Sequence, residues 1–269
     1  MAKFTCDFIS YTLKRTVDIT VIVPTVTIPE SMGLTDGKCL HTPDDKYPVL
    51  YLFHGMGNNH NTWTGYTKVE MYAEERQIAV VTISAENRSY VNMCGDDFFT
   101  FISKELPDFV CGMFPISRDP EHTYIAGLSM GGYGTLVHAF TNPEKFKAFG
   151  ALSAAVNLNP ETLFGDDIMA AATGGANANP ALDPSALADK VAADGKKFPK
   201  GYIACGEQDF LFAVNEEFRD KLIGLGADIT WEQLPEYGHE WRFWDIEIEK
   251  FLDWLPRTDA YAGKGRRQI

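Results

Sequence analysis

The sequence predicts an α/β protein with a mostly parallel central sheet of about eight strands and helices on both faces. Two observations carry this. Short apolar runs of strand length alternate along the chain with longer segments of helical periodicity, and YPVLYLFHG (47–55) is apolar at nearly every position, as a strand covered on both faces is. No internal repeat and no interdomain linker interrupts the alternation.

Taken in order, 3–13 and 16–23 (RTVDITVIVP) read as two early strands, the second with period-2 patterning, followed by a Gly/Pro/Asp-rich loop over 29–46. The buried strand at 47–53 is followed by a helix at 66–76, a strand at 78–84 and a helix at 97–113 that Pro107 should kink. A strand at 122–126, a helix at 130–141 and a strand at 147–153 continue the rhythm. Residues 154–183 break it: AAATGGANANPALDP is poor in bulky side chains and reads as an insertion, with a short helix at 184–193. The alternation resumes with a strand at 199–206, a helix at 212–225, a strand at 228–234 and a final helix at 240–254. We expect one domain over 1–256, with 154–183 inserted in it, and a flexible tail at 257–269, where Gly and charge dominate (GKGRRQ).

The 269 residues suffice for one large buried core. A formal net charge of −13 disfavours a nucleic-acid partner, since phosphate binding needs clustered Lys and Arg. No stretch approaches the roughly 18–20 apolar residues of a membrane span, so no membrane partner is expected. The five cysteines, Cys6, Cys39, Cys94, Cys111 and Cys205, are scattered and form no CxxC pair. Free thiols in a reducing cytoplasm fit that pattern; a secreted form with its signal removed is the alternative.

The chemistry concentrates in YIAGLSMGGYG (124–134), where Gly127-Leu128-Ser129-Met130-Gly131 matches G-x-S-x-G at a strand-to-helix junction. Such a turn is sharp enough that a Cβ on the flanking glycines would collide, and it lifts the serine hydroxyl above the sheet edge. A helix N-terminus beneath it favours developing negative charge. A dinucleotide site fits less well, because the glycines do not give G-x-G-x-x-G and the turn comes mid-sheet.

A serine hydroxyl is a weak nucleophile at neutral pH and needs an imidazole to take its proton. Of six histidines, His239 in LPEYGHEW follows the last strand, where the order serine, acid, histidine places the base. The acid should lie in the loop after the strand ending at 206, where CGEQDF supplies Glu207 and Asp209; Asp209 is favoured and Glu207 is the fallback. HEWRF is not H-E-x-x-H, and His54 and His60 sit six apart on a Gly/Asn loop, so no metal site is expected. Acyl transfer also needs backbone donors for an oxyanion. The N–H of Met130 would be one; HGMGNNHNTW (54–63) supplies the other, with Met56 preferred over Gly55 and His54 bracing the loop.

With FHGMGNNHNTW (53–63), FPISRDPEHTYIAGLSMGGYG (114–134), CGEQDFL (205–211) and GHEWRFWDIEIEKFLDWLP (238–256), the chain resembles the esterase D-like α/β-hydrolases. Within them it is similar to bacterial tributyrin esterases and to the feruloyl (cinnamoyl) esterases of carbohydrate esterase family 1. The resemblance implies a Ser129–Asp209–His239 triad, an oxyanion hole near Met56 and Met130, and no cofactor. It implies a small-molecule or carbohydrate-linked ester as substrate, and it places 154–183 over the active site. The second glycine of the family's HGMGG-type loop is Asn58 here, a change expected to tune the pocket. Phe164 is the only aromatic residue in 154–183, which argues against a tight aryl clamp there, so Trp63 and Tyr90 are the candidates to line the pocket, beside His54 and Gly55. S-formylglutathione hydrolysis, acyl transfer and a non-catalytic binding module are the rival functions, and homo-oligomerisation is compatible with the sequence.

Overall fold

The central strands form where apolar residues run unbroken and the edge strands where apolar and polar residues mix, and the sheet they build is sorted by the alternation of their side chains. The computed structural model describes residues 1–35, 39–93, 95–156 and 182–269. Its main sheet has eight strands: β1 (Ala2–Ser10), β2 (Arg15–Val23), β3 (Val49–Phe53), β4 (Ala79–Ile83), β7 (Thr123–Leu128), β8 (Ala148–Leu152), β9 (Lys200–Gly206) and β10 (Ile229–Leu234). Their spatial order is β1-β2-β4-β3-β7-β8-β9-β10. The β1/β2 and β2/β4 pairs are antiparallel and the remaining pairs parallel. A two-residue hairpin, β5 (Asn92–Met93) with β6 (Asp96–Asp97), stands apart from the sheet.

The period-2 alternation of β3 sends Leu50 and Leu52 to one face and Val49, Tyr51 and Phe53 to the other, and each set joins a separate core. The first face is covered by α3 (Val69–Glu75) and by a C-terminal helix, Trp241–Trp254, which contributes Phe243, Ile248, Phe251 and Leu252. The second is covered by α5 (Leu106–Met113) and α6 (Met130–Thr141). Among the described residues the other α-helices are α1 (Ile28–Ser31), α2 (Thr62–Tyr66), α4 (Phe98–Thr100), α7 (Pro184–Ala193) and α8 (Phe212–Gly224), and the C-terminal helix is labelled α9. Covering both faces is what a doubly apolar β3 requires.

The expected helix over 97–113 is continuous, but Pro107 acts differently from a simple kink. The turn before it, Phe101–Glu105, winds as a π-helix between α4 and α5. Proline has no N–H to offer the carbonyl four residues back, and that carbonyl, of Ser103, accepts a 3.0 Å bond from Lys145 Nζ instead. Residues 257–269, read from composition as a tail, lie against α1 and α3: the Arg267 N–H donates to the Glu75 carbonyl at 2.7 Å and its guanidinium pairs with Glu30 and Glu74. Most of the expected insertion, and Phe164 with it, lies outside the described residues.

The order β4-β3-β7 fixes where a ligand can sit. β3 connects to β4 on one side, and β7 begins the run to the other side, so the chain reverses direction between β3 and β7. Their adjacent C-terminal ends leave a crevice, the usual binding position in a parallel α/β sheet.

Candidate active site

Ser129 sits at that crevice, between the end of β7 and the first residue of α6. Its backbone is left-handed, φ 51° and ψ −117°, a conformation that is costly for a residue with a Cβ. Three hydrogen bonds hold it there: the Ser129 N–H donates to the Leu152 carbonyl at 2.9 Å, and the Ser129 carbonyl accepts from Tyr133 N–H and Ala155 N–H, both at 3.1 Å. The flanking glycines leave no alternative. A Cβ on Gly127 would stand 2.4 Å from the Gly131 carbonyl oxygen, and one on Gly131 would stand 2.6 Å from the carbonyl oxygens of Phe53 and His54. The G-x-S-x-G pattern is therefore a packing requirement of this turn.

The 54–58 loop leaves β3 and lies directly against the serine. A Cβ on Gly55 would come within 2.6 Å of Leu128 Cδ1 and 3.6 Å of Ser129 Cβ. Side chains fix the loop from several directions. His54 Nδ1 donates to the Gly55 carbonyl at 2.7 Å, and its Nε2 accepts the Ala85 N–H at 3.0 Å. Because Nε2 accepts, the proton sits on Nδ1, and burial pulls the pKa down to about 4, keeping the ring neutral. The Tyr90 hydroxyl donates to the His54 carbonyl at 2.8 Å, and the Asn87 Oδ1 accepts the Gly57 N–H at 2.7 Å. Asn58, which replaces the family's second glycine, donates from Nδ2 to the Met56 carbonyl at 3.2 Å.

The expected acid and base come from strands on the far side of the crevice. Asp209 follows β9 and His239 follows β10, neighbouring parallel strands. His239 Nδ1 and Asp209 Oδ2 are 2.8 Å apart, and Asp209 Oδ1 accepts the Leu211 N–H at 2.9 Å. Burial alone would raise the Asp209 pKa. The hydrogen bond and charge of His239, the Leu211 N–H and the Ser153 hydroxyl outweigh it and hold the carboxyl below its usual range. The Asp209 side chain is fully buried while that of His239 keeps 22% exposure, so the imidazole alone of this pair faces solvent. Glu207, the fallback acid, points elsewhere: its Oε1 accepts from Gln233 Nε2 at 2.7 Å on the surface.

Three residues expected at the pocket wall belong to the core instead. Trp63 is 0% exposed, donates its indole N–H to the Phe53 carbonyl at 3.0 Å and packs edge-on against Trp241. Tyr90 is also 0% exposed and stacks on Phe53 at 4.2 Å. His54 is 1% exposed, with both ring nitrogens committed to backbone, so it braces the loop and lines nothing. The remaining histidines are structural or peripheral. His60 Nδ1 and Thr20 Oγ1 are 2.8 Å apart, and His138 is fully buried with Nε2 on the Tyr90 carbonyl at 2.9 Å. Among the described residues, no three His, Cys, Asp or Glu side chains group closely enough to hold a metal ion.

Sequence reasoning passed over Ser153 and Asn215. Ser153 is 0% exposed with φ 44°, and Asn215 clamps the next residue by accepting the Ala154 N–H and donating to the Ala154 carbonyl, at 3.1 and 2.8 Å. Neither carries a motif, and left-handed backbone at a serine has no compositional signal.

A glycine-bounded serine at a strand-helix turn, with a hydrogen-bonded Asp–His pair after two further parallel strands of the same sheet, is the arrangement of a serine hydrolase of the α/β-hydrolase fold. Comparison with known proteins agrees. The Esterase family, described as Putative esterase, matches residues 37–245, and the chain belongs to it. It is 29% identical over 271 residues to an acetyl esterase of Caldicellulosiruptor saccharolyticus, covering 96% of this chain and 99% of the relative. Among solved structures it resembles FphF, a fluorophosphonate-binding serine hydrolase of Staphylococcus aureus, at 32% identity and a TM-score of 0.83, covering 94% and 98% of the two chains. It also resembles the S-formylglutathione hydrolase FrmB of the same organism, at 31% identity and a TM-score of 0.81, with the same coverage. The protein is a serine esterase.

Proposed function

We propose that the protein hydrolyses short-chain acyl esters through an acyl-enzyme on Ser129, with His239 as general base and acid and Asp209 orienting it. The 2.8 Å Asp209–His239 contact, after two strands of the sheet whose β7 end carries the strained serine, supports this reading. Asp209 on Nδ1 leaves Nε2 as the atom that takes the Ser129 proton during attack on the ester carbonyl. The oxyanion then forms between the N–H groups of Met130 and Met56, each donor contributing roughly 10²–10³ in rate. His239 returns the proton to the leaving alcohol, the alcohol departs, and water repeats the sequence on the acyl-enzyme.

Two observations favour a small acyl group over an aryl one. The two aromatic residues expected at the pocket wall, Trp63 and Tyr90, are spent on the core, which leaves the half-exposed Phe210, its ring 4.8 Å from that of His239, as an aromatic beside the pair, and a relative that matches nearly end to end is an acetyl esterase. Thioester hydrolysis is the second reading, favoured by the likeness to an S-formylglutathione hydrolase. The test is kcat/KM for p-nitrophenyl acetate, p-nitrophenyl butyrate, tributyrin, methyl ferulate and S-formylglutathione, with Ser129→Ala as the blank. Acetate and butyrate should lead the oxygen esters by roughly tenfold or more. A lead for ferulate would overturn the small-pocket reading, and a lead for the thioester would select the second one.

A further inference from the structure

Behind the Asp–His pair lies a strained serine that the mechanism above does not use. Ser153 follows β8, is 0% exposed and holds φ 44°. Its neighbourhood over-determines that backbone. The Ser153 N–H donates to the Ala204 carbonyl at 2.7 Å, Asn215 grips both backbone groups of Ala154, and the Ala155 N–H donates to the Ser129 carbonyl. If only the turn mattered, glycine would adopt this φ without strain. A side chain kept in a strained position at a candidate site points to a task for its hydroxyl.

The hydroxyl has three polar neighbours, the Trp244 indole, the Asp209 carboxylate and the Cys205 thiol. Its oxygen accepts the Trp244 indole N–H at 3.1 Å, which commits the oxygen as acceptor and leaves its proton to be given away. The Asp209 carboxylate is the charged acceptor beside it. Trp244 meanwhile stands edge-on to the His239 ring, with centroids 4.9 Å apart and planes at 88°. One indole thus touches the base and, through Ser153, reaches the acid. The other groups around the carboxylate are His239, the Leu211 N–H and the Cys205 thiol, whose pKa burial pushes well up, so that it stays neutral.

We propose that Ser153 is a positioning residue for the triad: its hydroxyl, oriented by Trp244, donates to the Asp209 carboxylate and fixes the face that Asp209 presents to His239. This rests on the triad reading above. The Leu211 N–H holds one carboxylate oxygen and His239 the other; a third donor removes the remaining freedom of the carboxylate to rotate. It also spreads the negative charge of the acid, which tempers how strongly Asp209 favours the imidazolium form of its partner.

The test compares Ser153→Gly, Ser153→Ala and Trp244→Phe with wild type by kcat, KM, the pH profile of kcat/KM on p-nitrophenyl acetate, and Tm. Ser153→Gly relieves the strain, which offsets the loss of the Trp244 hydrogen bond, so it should melt closer to wild type than Ser153→Ala and still lose roughly ten- to hundredfold in kcat, with KM within about twofold. Its acidic limb should move to higher pH, because an undonated carboxylate holds the imidazolium proton longer. Trp244→Phe should shift kcat and the limb in the same direction by less. Unchanged kcat and an unchanged limb in Ser153→Gly, with Ser129→Ala and His239→Ala inactive, would overturn this inference alone. A rate loss that only follows falling Tm across the three variants would also overturn it. Activity in Ser129→Ala would instead remove the triad reading beneath it.

Discussion

Two histidines close the C-terminal ends of strands in this sheet, His54 after β3 and His239 after β10, and their surroundings give them opposite work. His54 is 1% exposed, with one nitrogen donating to Gly55 and the other accepting from Ala85. Nothing is left with which to touch a substrate, and burial keeps the ring neutral with a pKa near about 4. His239 has one nitrogen on a buried carboxylate and keeps 22% of its side chain exposed. Among the described residues none hydrogen-bonds its Nε2. The same imidazole is a brace where both nitrogens are saturated, and is free to exchange a proton, as the proposed base must, where one is held and the other is open.

The comparison breaks if the two positions respond alike to mutation. His239→Ala should lower kcat by about 10⁴-fold or more and lower stability less than His54→Ala does, because the ring keeps 22% exposure and its loss uncouples only the Asp209 carboxylate. Steady-state kinetics beside thermal melting decide it; a comparable loss of both quantities would make His239 structural. His54→Ala should do the reverse. It strands the Gly55 carbonyl and the Ala85 N–H in the core, so stability should fall by roughly 2–4 kcal/mol by urea unfolding. Its kcat should fall only about ten- to hundredfold, through the displaced 54–58 loop.

A pH titration of stability sharpens the contrast. His54 and His138 both have pKa values lowered from 6.5 to about 4, each chiefly by burial. Between those values the unfolded chain binds more protons than the folded one, so stability rises with pH there. It should be full above about pH 6.5 and lost progressively as pH falls toward 4, by roughly 3 kcal/mol for each ring. The depressed Asp209 carboxyl acts lower, its contribution fading only as pH falls below the ordinary carboxylate range. Urea midpoints at pH 7 and pH 4.5 measure this, and equal midpoints would contradict neutral burial of the two rings. The smallest expected effect is that of Glu207→Gln. Its partner is the exposed Gln233, so kcat should stay within about twofold; a large loss would return the acid's role to Glu207.

Much of this architecture was legible because periodicity reports burial directly. The strand run at 47–53 and the helix at 130–141 needed only their apolar patterns, and the serine turn needed only glycines that no other residue could replace. The order serine, acid, histidine located the pair that the structure brings to 2.8 Å. The bracing part of His54 was also visible, since a polar ring beside a glycine loop has backbone groups within reach. What stayed hidden depends on direction. Trp63 and Tyr90 read identically in sequence whether they face a pocket or a core, and the structure turns both inward. Pro107 announces a disturbed helix but not that a π-turn and Lys145 would absorb it. Ser153 was invisible, because its left-handed backbone is imposed by Ala204, Asn215 and Ser129 from distant parts of the chain.

The most direct test of the central claim is reaction of the native protein with a fluorophosphonate probe, followed by mass mapping of the labelled peptide. The account predicts a single adduct on Ser129, formed in wild type and strongly suppressed in His239→Ala. Full esterase activity with no adduct on Ser129, or with the label on another residue, would contradict it.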